Sequence, residues 1–276
     1  DQQKEMDITA ENAAVDDILT DEETGDISAT GIRWDKASVE LHLTEQSKKR
    51  ATPPAIELKD LRGGETRIAI VRGAKKISTL VHSISADEIR QEPGQPLYLQ
   101  HPVLSGEQLE FLDSGIKLTI GQYQLADSVL SVLKKVAYIN NTNGNNLSFQ
   151  APEITGITII RSLLSRSILL DAVTIDAPYI NLDLAGNTGK TNWPELHIGR
   201  LQMNQPNLAL QVPGPGGSLQ FNWDGHTKKN NFLLFKNVKA SPAQRLQVDS
   251  IDLQMDNFSY LSPGKKQFNA GQGEME

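Results

Sequence analysis

The residue group with the strongest claim to chemistry is Gly186-Asn-Thr-Gly-Lys-Thr191. Its end resembles a phosphate-binding P-loop, in which a lysine reaches the phosphates and a hydroxyl reaches magnesium. That motif also needs a glycine five positions before Gly189, and a following helix whose N–H groups converge on phosphate. Position 184 is Leu184, and Asn192-Trp193-Pro194 leads into a strand pattern. The segment therefore reads as a hairpin turn. The histidines, His42, His82, His101, His197 and His226, are dispersed, and no pair has the short spacing of a metal motif. They read as solvated surface groups, and no metal site is expected. Gly-x-Ser-x-Gly does not occur, so no nucleophile elbow is present. Asp16-Asp17 and Glu22-Glu23 lie in an acidic stretch and read as a solvating face. Lys48-Lys49-Arg50, Lys75-Lys76, Lys134-Lys135, Lys228-Lys229 and Lys265-Lys266 read as solubilised turns and strand-edge guards. No catalytic residue and no cofactor are expected.

Composition narrows the classes further. The 276 residues contain no cysteine, which removes disulfides, thiolate metal sites and cysteine nucleophiles. The formal charge of −7 is uneven. Residues 1–31 hold ten acids and one base, a net of −9, so residues 32–276 carry −7 − (−9) = +2. Neither part suggests nucleic acid as a partner. No apolar run approaches the ~18 residues that span a bilayer as a helix. The chain begins with Asp rather than Met, and the expectation is a processed or excised piece.

The elements that would position any site are strands. Ser38-Val-Glu-Leu-His-Leu43 alternates apolar and polar residues, as do Leu208-Ala-Leu-Gln-Val212, Ser218-Leu-Gln-Phe-Asn-Trp223 and Tyr179-Ile-Asn-Leu-Asp-Leu184. A period of two means one buried and one wet face, a pattern of antiparallel sheets. The apolar phase slips by one residue at Gly199-Arg200 and again at Asp249-Ser250, which predicts β-bulges in long, bent strands. Helical patterning is sparse. Gly156–Ser165 predicts one or two turns, Thr9–Leu19 a thin helix capped by Thr9, and Ala126–Leu133 fits helix or strand. Turn residues mark Asn140–Asn146, Val212–Gly217 (which cannot be strand interior) and Asp224-Gly225, the last a tight hairpin turn. The tail from Ser262 is expected to fray. Ala172–Leu182 aligns with Ile198–Leu210 as strand, proline, strand, which implies a stack of repeats. The expected fold is all-β: an elongated, curved, mainly antiparallel sheet of strand-turn-strand repeats with one or two short helices. The expected division is an acidic segment 1–31, a repeat-built domain 32–261 and a tail 262–276.

Leu147-Ser-Phe-Gln-Ala-Pro-Glu-Ile-Thr-Gly-Ile157, then Leu163–Leu182, then Gly189-Lys-Thr-Asn-Trp193 form a pattern. It resembles the AsmA-like family of bacterial envelope proteins, which includes TamB-like relatives. The most specific element is the turn carrying Gly189, Asn192 and Trp193 after the strand-proline-strand unit. The resemblance covers about fifty residues and is looser elsewhere. It implies a periplasmic β-groove in a parent chain held by an N-terminal membrane helix. It also implies a non-enzymatic part in outer-membrane assembly or phospholipid movement, with acyl chains and envelope proteins as partners. No catalytic residues carry over.

A curved sheet with one apolar face must cover that face with itself, with a second layer or with a lipid-like ligand. Val173, Ile175, Ile180, Leu182, Leu208 and Leu210 are the candidate groove residues, and each fits ordinary core equally. The alternatives are a β-rich structural or carbohydrate/protein interaction module of the cell surface, which would need clustered aromatics, and a hydrolase on a β scaffold, which would need converging acids or histidines.

Overall fold

The computed structural model describes residues 5–43, 55–92, 98–126, 130–141, 146–157, 167–183, 195–214, 217–240, 247–261 and 267–275. The strands are β1 (Glu5–Glu11), β2 (Asp17–Thr20), β3 (Ile27–Thr30), β4 (Arg33–Leu43), β5 (Ile56–Arg72) and β6 (Lys75–Gln91). They continue as β7 (Tyr98–Gln100), β8 (Val103–Asp113), β9 (Ile116–Ala126), β10 (Leu130–Asn140), β11 (Asn146–Ile157), β12 (Ser167–Asp176) and β13 (Tyr179–Asp183). The rest are β14 (Glu195–Asn204), β15 (Asn207–Gly214), β16 (Gly217–Asp224), β17 (Phe232–Ala240), β18 (Ser250–Leu261) and β19 (Gln267–Met275). Among the described residues the sole helical element is a 3-10 turn, Gly225–Thr227. The all-β expectation holds.

All the strands join one sheet. Its rungs follow the chain: β1 and β2 pair with β4 and β3, then come β5, β6, β7 with β8, β9, β10 and β11. The stack continues through β12 with β13, β14 with β15, β17 with β16, then β18 and β19. Most pairs are antiparallel. The exceptions are β3 and β4 on β5, and β12 and β13 on β14 and β15. In the second exception Ser167 lies beside Glu195 and Asp183 beside Gln211, a constant step of 28 residues (195 − 167 and 211 − 183). Pro178 and Pro206 are one step apart, which is the repeat visible in the sequence.

Two observations make the stack long and curved. Its accessible surface is 17795 Å², against about 11,800 Å² for a compact globule of this mass. The rung 167–183 would span about 53 Å if straight. Yet the twelve residue steps from Asp183 to Glu195 reach at most about 43 Å. The rung must bend to bring its ends within that reach.

The bends lie in rows. Gln108, Gly121 and Lys135 sit opposite one another and are skipped by the ladders on both sides. Gln108 and Lys135 both have φ of 54°. The same row continues through Pro152 to Ala177 (φ 45°) and Gln205 (φ 48°). A second row runs Asp171, Gly199, Asn237 (φ 51°) and Asp249. A third runs Asp16, Gly31 (φ 65°), Asp60 (φ 50°), Asp87 and His101 (φ 45°). Left-handed backbone at one residue bends the strand and flips its side-chain phase, as a bulge does. Gly199 and Gly121 are required where neighbours crowd. A Cβ at Gly199 would lie 2.7 Å from the Asp171 carbonyl oxygen, and one at Gly121 2.9 Å from Lys135 Cβ.

Several expectations need correction. The slips at Gly199-Arg200 and Asp249-Ser250 are real, but they are not insertions against a partner. Neighbouring rungs slip at the same row, so the register is kept across it. Thr9–Leu19 is not a helix. Thr9 and Ala10 pair with Ser38 and Ala37 within β1, and Asp17–Thr20 forms β2, so the backbone groups are taken up by ladders with β4 and β3. Asp224-Gly225 does not close a tight hairpin. Asp224 accepts from the His226 N–H and starts the 3-10 turn, so the corner extends to Phe232. Strand structure enters Val212–Gly217 up to Gly214 and resumes at Gly217, where Pro213 pairs with Ser218 at a hairpin end. The tail does not fray throughout, since β19 pairs along β18. The ambiguous stretch resolves into β9 ending at Ala126 and β10 starting at Leu130. The helix expected at Gly156–Ser165 lies beyond position 157 outside the described residues.

Candidate functional site

The inner face of the sheet is the feature that could bind something. Along β12, Val173 and Ile175 alternate with Thr174 and Asp176, so both apolar side chains point one way and are buried. They pack with Ala151, Ile198 and Val238. Leu170 joins the same cluster although it lies three residues before Val173. The bend at Asp171 supplies the missing residue of phase. Beyond the bend at Ala177, Ile180 joins Leu208, Trp223, Leu233 and Met255. Leu182 and Leu210 pair with each other, and then with Leu147 and Phe221. The six candidates thus share one face, and bends separate them into two groups.

Cross-strand partners project on the same side of a sheet, so pairing carries this face far beyond the six. Leu41 pairs with Ile70, Ile70 with Ile77, Ile77 with Phe111 and Phe111 with Leu118. The row goes on through Tyr138, Phe149, Ile180 and Leu208 to Trp223. Every rung from β4 to β16 contributes an apolar or aromatic residue. Nine spacings of ~4.8 Å make this row about 43 Å long. Ile77 is exposed, Leu208 and Trp223 are buried, and the others are half-buried. The adjacent row on the outer face reads Glu40, Ala69, Ser78, Glu110, Thr119, Ala137, Gln150, Tyr179, Asn207 and Asp224. The sheet is amphipathic rung by rung.

Two polar features punctuate the inner side. Tyr123 is buried there, with its hydroxyl 2.8 Å from Thr79 Oγ1. Thr79 donates its own hydroxyl hydrogen to the Glu107 carbonyl at 3.0 Å, so the phenol donates to Thr79. Burial raises the phenol pKa above its ordinary value. At the other end Asn231, 1% exposed, ties a corner together. Its Nδ2 donates to the Gly225 carbonyl at 3.0 Å, and its Oδ1 accepts from the Asp256 N–H at 3.2 Å. Trp223 Nε1 donates to the Asp256 carbonyl at 3.0 Å, and Lys228 Nζ lies 3.1 Å from Asp256 Oδ2. Sequence reading missed Asn231 and Asp256, because an asparagine after a turn and an aspartate in a strand carry no distinguishing pattern.

The remaining chemistry candidates do not converge. His42 lies 2.9 Å from Glu40, His82 3.7 Å from Glu107, and His101 2.7 Å from Asp87. Among the described residues no three His, Asp or Glu side chains are placed to hold a metal. An open depression of about 220 Å³ includes Glu11, Lys36, Glu65 and Arg67 in its lining, with charges balanced. Gly189, Asn192 and Trp193, with the rest of the P-loop-like segment, lie outside the described residues. Among the described residues no helix is long and apolar enough to cross a membrane. No family model, curated protein or solved structure matches the chain.

Proposed function

We propose that the chain is a non-enzymatic, AsmA-like β-groove segment of a bacterial envelope protein, and that its inner face holds lipid acyl chains. The observation that carries this reading is the unbroken apolar row from Leu41 to Trp223, most of it half-buried. A sealed core would bury such a row completely. Half-exposed apolar side chains along one sheet face leave area for an apolar ligand, at roughly 25 cal/mol per Å² removed from water. At about 43 Å the row is longer than the ~30 Å hydrocarbon core of a bilayer. An acyl chain laid along it would meet open apolar contacts from Leu41 to Ile180, whereas Leu208 and Trp223 are already covered by the protein's own cluster. Phospholipid passage between membranes, on the periplasmic side, fits such a surface.

Native mass spectrometry of the protein purified from bacteria tests the reading. Co-purified phospholipid is expected, and Leu118→Lys combined with Phe111→Lys is expected to remove it, because charges at two neighbouring rungs interrupt the row. A lipid-free protein, or unchanged lipid in the double variant, overturns the reading.

A further inference from the structure

The hairpin joining β5 and β6 holds a pair of like charges that the fold alone does not require. Arg72 and Lys75 stand directly opposite each other across the turn Gly73-Ala74, where Gly73 has φ of 56°. Cross-strand partners project to one side, and alternate residues of a strand share a face. Arg72 therefore falls on the side of Ile70, and Lys75 on the side of Ile77, which is the inner face. Both are exposed, and the strands that carry them are paired on both sides, β5 with β4 and β6, and β6 with β5 and β8. Like charges directly opposite one another are destabilising. Asp113 lies 3.2 Å from Lys75 Nζ and offsets one of them. Among the described residues no acid is paired with Arg72. From Asp113 the same inner row runs on through Ile116, Asn140 and Leu147 to Leu182 without a further Lys or Arg. The two cations thus mark one place on the inner face, about 6.7 Å along the strands from Ile70 and Ile77. Ile77 is itself 36% exposed.

We infer that Arg72 and Lys75 seat the phosphate of an anionic glycerophospholipid whose acyl chain starts on Ile70 and Ile77. The inference rests on the groove reading and adds which end of the lipid is held, and by which side chains. The guanidinium of Arg72 offers paired N–H donors that match phosphate oxygens, and Lys75 adds a point charge. A phosphate between them turns their repulsion into two attractions. A lipid without phosphate leaves the repulsion in place, and a free phosphate ion leaves Ile70 and Ile77 wet. An amphiphile with both parts satisfies both rows.

Fluorescence titration of the full chain tests this. The probes are a short-chain phosphatidylglycerol labelled on one acyl chain and the diacylglycerol with the same labelled chains, with inorganic phosphate as competitor. Phosphatidylglycerol is expected to bind about tenfold tighter than the diacylglycerol, as for hydrogen bonds to a charged group. Arg72→Gln/Lys75→Gln changes only exposed side chains and is expected to bring it down to the diacylglycerol level. Lys76→Gln/Lys117→Gln removes the same charge from the outer face of the neighbouring hairpin ends and is expected to change nothing. Equal losses in the two variants would reduce the effect to general charge attraction and overturn the proposal. Full displacement of the lipid by an equal concentration of inorganic phosphate would overturn it too, since the site would then be one for a free anion. Equal binding of the two lipids to the unaltered protein would overturn the headgroup site and leave the groove reading standing. Binding of neither lipid would overturn both.

Discussion

The first rungs and the corner around Trp223 use the same strand alternation with opposite results. In the first rungs Ile8, Ile18, Leu19, Ile27 and Ile56 are all exposed, and the connected apolar clusters begin only with residues of β7 and β8. Around Trp223, which is 1% exposed, Leu208, Leu233 and Met255 close a cluster, while Asn231 satisfies the corner backbone. Apolar patterning alone therefore does not produce burial. Among the described residues β1 and β2 pair on one side only, and Ile27 and Ile56 stay exposed with strands on both sides, so burial also needs a corner that folds back. Stability in a stack is a sum of such neighbour terms, so it should rise from β1 toward β16.

The largest test of that contrast is truncation. Trp223→Ala is expected to cost about 3–5 kcal/mol, whereas Ile8→Ala, at an exposed site, should stay within about 0.5 kcal/mol. Urea denaturation of both variants measures the gap, and equal costs would remove the contrast. The next test asks whether backbone geometry stabilises the first rungs where burial does not. A Cβ at Gly64 would sit 2.2 Å from the Asp35 carbonyl oxygen, so Gly64→Ala should cost about 1–3 kcal/mol through forced displacement. A neutral result in the same denaturation would mean that these rungs shift freely. The smallest effect concerns Tyr123. Its raised folded pKa means that stability is full below the unfolded value and is lost as pH rises through the folded one. Tyr123→Phe should cost about 1 kcal/mol at pH 8 through the lost hydrogen bond. It should also flatten the decline above about pH 10, which unfolding curves at stepped pH would measure.

How much of this was legible depended on whether a feature repeats. The alternations at Val39–Leu43 and Leu208–Val212 mark strands because each polar residue faces water. The spacing of Pro178 and Pro206 marks the repeat because both occupy the same corner, one step apart. The phase slip at Gly199 was visible, but its meaning was not. A single strand cannot show that Asp171 and Asn237 slip beside it. The bends at Gln108, Lys135 and Ala177 left no trace, since none of these is the glycine that usually signals positive φ. The predicted helix at Thr9–Leu19 failed because its backbone groups pair with β4 and β3, while the thin apolar stripe stays exposed and favours neither structure. Of the candidate site, the six residues were found individually. The row that joins them to Leu41 is written in strand pairing, which only the fold reveals.

The shared slip constrains how such a chain can change length. Deleting Gly199 would restore strict alternation within β14, yet would set half the strand out of phase with β12 and β17 together. Along this row the neighbours carry the same slip, whereas β6 and β8 take up unmatched residues as register shifts at Ser78/Leu80 and Val81/Ser83. Where the slip is shared, adding or removing a whole repeat of about 28 residues keeps every rung in phase and changes the span by about 4.8 Å.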